Sequence, residues 1–522
     1  MSTPRKVSKT KKTTKVPSKA APKAASKTAV NHYDLIVIGS GPAGQRAALQ
    51  AAKAGKTAAI IEKYPSVGGG CVHFGTLPSK SFRESIYRYS LGSRGVLGRE
   101  ADESKAPGRA KRKQSLVVPE MKRLLQRKDR VVVGESNVIR DQLKRNGIEM
   151  ITGEARFTGL HEIEVLTPRR KTTLTGEKFV IAVGSRPVAP SHLAIDGKFI
   201  HDSDTVLTLK TVPKTMIVLG AGVIGCEYAS MFAMAGTKVT LVDKRNRILA
   251  SVDSEIVRAL RDRFEYQGME IVLGVEATKI QTHRPTAGKP MKTVVTLSDG
   301  KKIRAETVLI AQGRIGNTEL LGLEAIGVQR DERGLVKVNA NFRSAVDHIY
   351  AVGDVVGAPA LAATAMEQGR IATCHAFGIS MKTGTNAVEA EHEMPKNFPY
   401  GIYTIPEISM IGKTEEELKT ENADFVVGRA RYRELARGQI VGDRWGILKL
   451  LVDKKSLTIL GVHIIGDNAA DLIHIGQAVM AFGGDVTYFM NSVFNYPTLA
   501  EAYKTAAFNA VNVLKGQTKS VD

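Results

Sequence analysis

One local pattern occurs twice in this chain and fixes most of what it can fold into: an apolar strand, the spacing Gly-x-Gly-x-x-Gly, a helix, and a second strand ending on a carboxylate. The first copy runs from a strand over 33–38 into Gly39-Ser40-Gly41-Pro42-Ala43-Gly44, an alanine-rich helix over 45–54, and a strand over 57–61 that ends on Glu62. Gly39 permits the tight turn, Gly41 lets the backbone approach a pyrophosphate, and Gly44 lets the helix pack close to the strand. The helix N-terminus faces an anion, and Glu62 is placed to accept hydrogen bonds from a ribose. The second copy runs from 215–219 into Gly220-Ala221-Gly222-Val223-Ile224-Gly225, a helix, and a strand over 238–242 that ends on Asp243. Each unit offers one helix N-terminus to one pyrophosphate, so two copies predict two dinucleotides.

The apolar stretch 216–236 is about as long as the ~20 residues of a membrane span. Its internal glycines and the charge of Glu227 argue against that, because a carboxylate at mid-span is costly.

Between the two copies lies Gly68-Gly69-Gly70-Cys71-Val72-His73-Phe74-Gly75-Thr76-Leu77-Pro78-Ser79-Lys80. Four further runs are Gly220 to Ser230, Tyr350-Ala351-Val352-Gly353-Asp354, Gly401-Ile402-Tyr403-Thr404-Ile405-Pro406-Glu407-Ile408 and Phe494-Asn495-Tyr496-Pro497-Thr498-Leu499-Ala500-Glu501. On these five runs, in order over about 33–507, the chain resembles the pyridine nucleotide-disulfide oxidoreductase family. Within that family it is most similar to the branch that exchanges hydride between nicotinamide nucleotides through FAD. The resemblance implies an α/β fold with two Rossmann-like dinucleotide-binding domains, for FAD and for NAD or NADP, and a C-terminal α/β dimerisation domain.

The resemblance also implies roles. Glu62 binds the adenosine ribose of FAD, Asp354 its ribityl or pyrophosphate region, and Lys80 lies beside the flavin N5, paired with Glu227. A partly buried lysine needs such an anion to stay charged. Pro78 fits the first turn of the helix that carries Lys80. Lys63, Gly70, Cys71, Ala155, Gly184, Gly353 and Ala362 are expected to complete the FAD site. Lys244, Arg245 and Gly313 are expected to join the second fingerprint around the nicotinamide nucleotide.

Two departures from the family pattern fall in one half-reaction. Disulfide-reducing relatives carry a second cysteine where this chain has Thr76, and a histidine paired with a glutamate where it has Asn495, although Glu501 remains. A threonine hydroxyl forms no disulfide, and an amide is no general base near neutral pH. Transfer of hydride between NADPH and NAD⁺ without thiol chemistry is therefore the expected activity. The alternatives are a dihydrolipoamide dehydrogenase-like flavoprotein with altered or lost activity, or a tethered flavin-binding redox sensor. Cys71, Cys226 and Cys374 are the only cysteines, which gives no disulfide framework and suits a reducing, cytoplasmic setting. Cys71, near a glycine-rich helix N-terminus, is expected to be a packed relic whose pKa the helix could lower. No metal site is expected.

Asp243 sits where an acid binds a ribose 2′-hydroxyl and favours NAD. Lys244, Arg245 and Arg247 follow at once and suit a 2′-phosphate, a combination that would accept both nucleotides.

At 522 residues the chain has room for about three domains and a tail. The expected division is an FAD domain over 32–189 and 315–390, an NAD(P) domain over 190–314, and a dimerisation domain over 396–516 in which Asn495 and Glu501 act on the partner subunit's flavin site. Residues 1–30 hold eight lysines, one arginine and no acid, supplying +9 of the formal +23. They read as a disordered basic tail, with loose nucleic-acid contact as one reading and a solvating tail as the other. Residues 94–130 carry twelve Lys or Arg against five Asp or Glu, and 119–142 reads as an exposed basic helix with Met121, Leu124, Leu125, Val131 and Val132 as contacts.

Overall fold

The computed structural model describes residues 32–93, 119–188, 190–283, 292–380, 394–395 and 397–517. The basic tail and residues 94–118 of the basic 94–130 segment therefore lie outside the described residues.

The first fingerprint builds a seven-stranded sheet. Strands Glu149–Thr152, Ala58–Glu62, His32–Ile38 and Lys171–Ile181 lie side by side in parallel, and Ile349–Ala351 adds a further parallel strand to the end of the last. Antiparallel strands Glu162–Leu166 and Glu154–Gly159 extend its other edge. Alternate residues of His32–Ile38 enter different cores: Leu35 and Val37 pack under helix Pro42–Lys53, Ile36 and Ile38 under the segment around Leu323 and Val336.

The second fingerprint builds a five-stranded, wholly parallel sheet in the order Glu270–Leu273, Lys238–Asp243, Thr215–Leu219, Thr307–Ile310, Ile200–His201. Chain enters and leaves this unit beside a two-stranded antiparallel ribbon, Ser185–Pro187 against Arg314–Gly316. The C-terminal residues form a five-stranded antiparallel sheet, Tyr400–Ile402, Ile408–Gly412, Ile459–Ile465, Ile447–Asp453 and Phe425–Arg431, packed under Ala469–Ala481 and Glu501–Leu514.

One apolar core joins these parts. Phe82 and Ile86 of helix Thr76–Ser93 pack with Met216, Val218 and Phe232 of the second unit and with Ile402, Ile405 and Ile465 of the C-terminal sheet. The rings of Phe82 and Phe232 lie 5.6 Å apart. Removing either ring should cost about 3–5 kcal/mol, the usual price of emptying an aromatic core position. The basic helix spans Met121–Arg145 rather than 119–142 and is not exposed all round: Met121 and Leu124 are buried in that shared core, and Ile139 and Leu143 against the first sheet.

Candidate dinucleotide and redox site

Because their strands are parallel, each unit gathers its chemistry-bearing residues at one end of its sheet. In the first, Gly39 has φ of +106° and a β-carbon there would overlap Ala182 O, so no side chain fits. A β-carbon at Gly44 would overlap Gly39 O, whereas one at Gly41 meets nothing within 4 Å. Gly41 N-caps helix Pro42–Lys53 and no side chain caps that end. That is the arrangement by which a helix N-terminus can receive an anion.

Glu62 is buried and organises this end. Its Oε2 accepts from Ser40 N (3.0 Å) and Ser40 Oγ (2.7 Å), its Oε1 from Tyr64 N (3.1 Å), and Ser40 Oγ accepts from Gly68 N (3.0 Å). Two oxygens offer about four acceptor positions, so one on Oε1 stays open for a ribose. Gly184 (φ +66°) ends the long strand, and Gly353 (φ +80°) follows the added one, its amide donating to Gln368 Oε1 at 2.7 Å. Asp354 accepts from Ser185 Oγ at 3.0 Å. Gly70 has open space, and Ala362 opens helix Ala362–Phe377. Lys63 lies over the Tyr64 ring, and Ala155 is buried within strand Glu154–Gly159.

The second unit repeats the glycine geometry. Gly220 has φ of +108° and would clash with Ala311 O, and Gly225 would clash with Gly220 O. Gly313 has φ of +153°. Gly222 N-caps helix Val223–Met234 without a side-chain cap. A cleft here is lined by Gly222, Val223, Ile224, Gly313 and Arg314.

The acid differs from the expectation. Asp243 Oδ1 accepts from Arg245 N (2.8 Å) and Nε (2.9 Å), and Oδ2 from Arg245 Nη2 (2.7 Å) and Ala221 N (2.5 Å). All four acceptor positions are filled, so Asp243 offers nothing to a 2′-hydroxyl while Arg245 is closed on it. Burial alone would raise this carboxyl, and the bonds from Arg245 and Ala221 hold it below its ordinary value. Lys244 is exposed beside the pair.

Lys80 bridges the two units. Its Nζ lies 2.7 Å from Glu227 Oε2, with the lysine side chain 28% exposed and the glutamate 5%. Glu227 Oε1 accepts from Tyr403 N at 2.8 Å, and Lys80 Nζ sits 4.9 Å from the Tyr403 ring centroid. Ser230 Oγ accepts from Ile405 N at 3.1 Å, so the C-terminal segment is clamped onto the same helix. The sequence run 401–408 contained Tyr403, but nothing in it showed that its amide and ring both serve the ion pair.

Cys71 lies inside the short helix Gly69–His73. Contrary to the expected lowering, burial pushes its thiol up, with only partial relief from a side-chain hydrogen bond to Thr76. Position 76, where a partner sulfur would be needed, holds Thr76, and all three cysteines are free. Asn495 is exposed. Glu501 Oε2 accepts from Thr498 N at 3.3 Å. Among the described residues neither is joined by a hydrogen bond or ion pair to Lys80, Glu227, Cys71 or Thr76.

Two uncapped glycine-turn helix starts, each beside the parallel strands of a separate sheet and joined by the Lys80–Glu227 ion pair, mark the architecture of a dinucleotide-binding protein with two such units. The family model for pyridine nucleotide-disulphide oxidoreductases matches residues 33–369, and the model for their dimerisation domain matches 398–507. The chain belongs to the pyridine nucleotide-disulphide oxidoreductase family. A soluble pyridine nucleotide transhydrogenase of Mycobacterium bovis is 46% identical over 489 residues, covering 93% of this chain and 98% of that protein. One of Vibrio parahaemolyticus is 42% identical over 495 residues, covering 93% and 99%. Among solved structures, the HOCl-induced flavoprotein disulfide reductase RclA from Escherichia coli is 27% identical with a TM-score of 0.77, covering 91% of this chain and 99% of that one. LpdA from Mycobacterium tuberculosis, 24% identical over 91% of this chain and 99% of its own, shares the fold with a TM-score of 0.78.

Proposed function

We propose that this chain is a flavin-dependent transhydrogenase that moves hydride between NADPH and NAD⁺ without a redox disulfide. The carrying observation is an intact Lys80–Glu227 pair beside a Cys71 that is free and has Thr76 where a second cysteine would stand: the nucleotide-facing half of a reductase is kept and the thiol half is not. The names of the relatives support the same activity.

The first cradle suits FAD, since its uncapped helix start at Gly41 and the free acceptor on Glu62 match a pyrophosphate and a ribose. Bound flavin supplies a carrier that accepts hydride from one nucleotide and releases it to another. The chain's own part is positional. Glu227 holds Lys80 aimed between the units, and the Tyr403 amide and ring hold that pair in one geometry. The second cradle takes NAD⁺ and NADPH in turn. Arg245, half exposed, can leave Asp243 for the 2′-phosphate of NADPH; with NAD⁺ bound and Arg245 turned away, Asp243 can accept from the 2′-hydroxyl.

In this reading 32–189 with 315–390 is the FAD domain, 190–314 the NAD(P) domain and 396–516 the dimerisation domain of a cytoplasmic homodimer. Val493 is 95% and Phe482 92% exposed, apolar surface of a kind that a second copy would cover. Asn495 and Glu501 then face the partner subunit's flavin. No helix among the described residues is long and apolar enough to cross a membrane.

The test is transfer from NADPH to thio-NAD⁺ by flavin-loaded protein, with oxidised lipoamide as a parallel acceptor. Fast transfer with lipoamide inert is expected; rapid lipoamide reduction without transfer between nucleotides would overturn the proposal.

A further inference from the structure

The loop 243–253 carries Asp243, Lys244 and Arg245 and then runs to helix Ser254–Tyr266. Besides backbone bonds from Gly274 N to Arg245 O (3.2 Å) and Val275 N to Asp243 O (3.3 Å), side chains and one strained turn hold it along its length. Arg245 closes on Asp243 at its start. In its middle Leu249 adopts φ of +44° and its amide donates to Ala221 O at 3.0 Å. At its end Asp253 caps the helix, accepting from Glu255 N at 3.0 Å.

This last anchor is made from outside the nucleotide-binding sheet. Lys449, in the C-terminal strand Ile447–Asp453, is fully buried. Its Nζ lies 2.9 Å from both oxygens of Asp253, 2.5 Å from Glu415 Oε2 and 3.1 Å from Glu255 Oε2. Arg429 pairs with Glu255 at 2.7 Å, and Lys419 with Glu415 at 2.7 Å, so three cations meet three carboxylates. Glu415 N donates to Asp253 (3.3 Å), and Ser254 N to Glu416 (3.1 Å). Burial would raise the Asp253 carboxyl, but His463, the Lys449 charge and these bonds hold it low, while burial pushes the neighbouring His463 imidazole down.

Capping the helix needs only the Asp253 side chain. A sequestered ammonium is not required for that, and burying it is expensive unless every partner is in place. What Lys449 adds is a fixed position of the loop's end against the C-terminal sheet. We propose that Lys449 is a positioning residue for nucleotide selectivity: from the C-terminal sheet it sets how the 243–253 loop lies, and so how readily Arg245 closes on or leaves Asp243. The inference rests on the reading of the second fingerprint as the nicotinamide nucleotide site.

The experiment uses flavin-loaded full-length protein and titrates it calorimetrically with 2′,5′-ADP and with 5′-AMP, which differ only by the 2′-phosphate. In Lys449→Met the ratio of the two dissociation constants should move by roughly two- to thirtyfold, the span by which changes along a packed network alter coupling. Glu415→Gln, which removes one partner and leaves the lysine paired with Asp253, should move the ratio the same way by less, and it serves as the primary variant if Lys449→Met does not fold. A lowered melting temperature with an unchanged ratio in the folded variants would overturn the proposal, because a purely structural ion cluster predicts that result. Failure of the unmodified protein to bind either ligand would instead overturn the assignment of the second fingerprint.

Discussion

The two fingerprints share a backbone and differ in how their terminal acids are used. Glu62 is tied by neutral donors, Ser40 and Tyr64, in a knot that also holds Gly68, and it keeps one acceptor position open. Asp243 is saturated, half of it by the side chain of a half-exposed arginine. A knot of uncharged partners, most of it buried, suits a ligand that stays. A salt bridge to a long, half-exposed side chain can be exchanged for a phosphate without repacking the end of the sheet, and so suits ligands that alternate.

The sharpest way to break this comparison is to deny each glycine cradle in turn. Gly44→Val should give protein that purifies colourless, and Gly225→Val protein that stays yellow but has lost measurable nucleotide turnover, since each β-carbon overlaps a fixed carbonyl. Equal loss of flavin from both, read by absorbance after gel filtration, would mean that the cradles are not separately assigned.

Next in size, Glu62→Gln should weaken flavin retention by roughly tenfold to a hundredfold, the worth of charge-assisted hydrogen bonds, with the nucleotide KM unchanged. Arg245→Ala should raise the KM for NADPH by about tenfold and leave that for NADH unchanged or lower, because the carboxylate is released. If both KM values rise together, Arg245 holds the loop rather than choosing between ligands.

The smallest expected effect is at the thiol. Cys71→Ser should change transfer between nucleotides by less than about twofold, because no thiolate takes part. Its folded pKa is raised by burial, so the contribution to stability is full below the unfolded value and is lost as pH rises through the folded one. Alkylation of native protein followed against pH should therefore begin at higher pH than alkylation of the unfolded chain. A native profile shifted to lower pH would reverse this reading.

Much of this was legible in sequence because glycine geometry is local. The turn at Gly39, the packing at Gly44 and their counterparts at Gly220 and Gly225 depend on residues a few positions away, and strand Thr215–Leu219 falls where the pattern put it. The Lys80–Glu227 pair joins residues far apart in the chain, and only family resemblance pointed to it. What escaped was whatever depends on side-chain choice or on a third partner. The sequence shows that Arg245 follows Asp243, not that it folds back and fills it. A glycine-rich helix start suggested an acidic thiol, but desolvation outweighs it at Cys71. Tyr403 and Lys449 act from a different sheet, and no spacing rule reaches across that distance.

The ribbon of Ser185–Pro187 and Arg314–Gly316, where chain leaves the first sheet and returns, gives the second unit the form of a cassette on a single neck. Such a neck would let evolution, or an engineer, graft a different nucleotide module without cutting the parent sheet. The graft would still meet a fitted socket, since Ile402, Ile405 and Lys449 are shaped to the module now seated there. A chimera that exchanges only 190–314 replaces the plug and mismatches the socket. Successful transplants should be those that carry both.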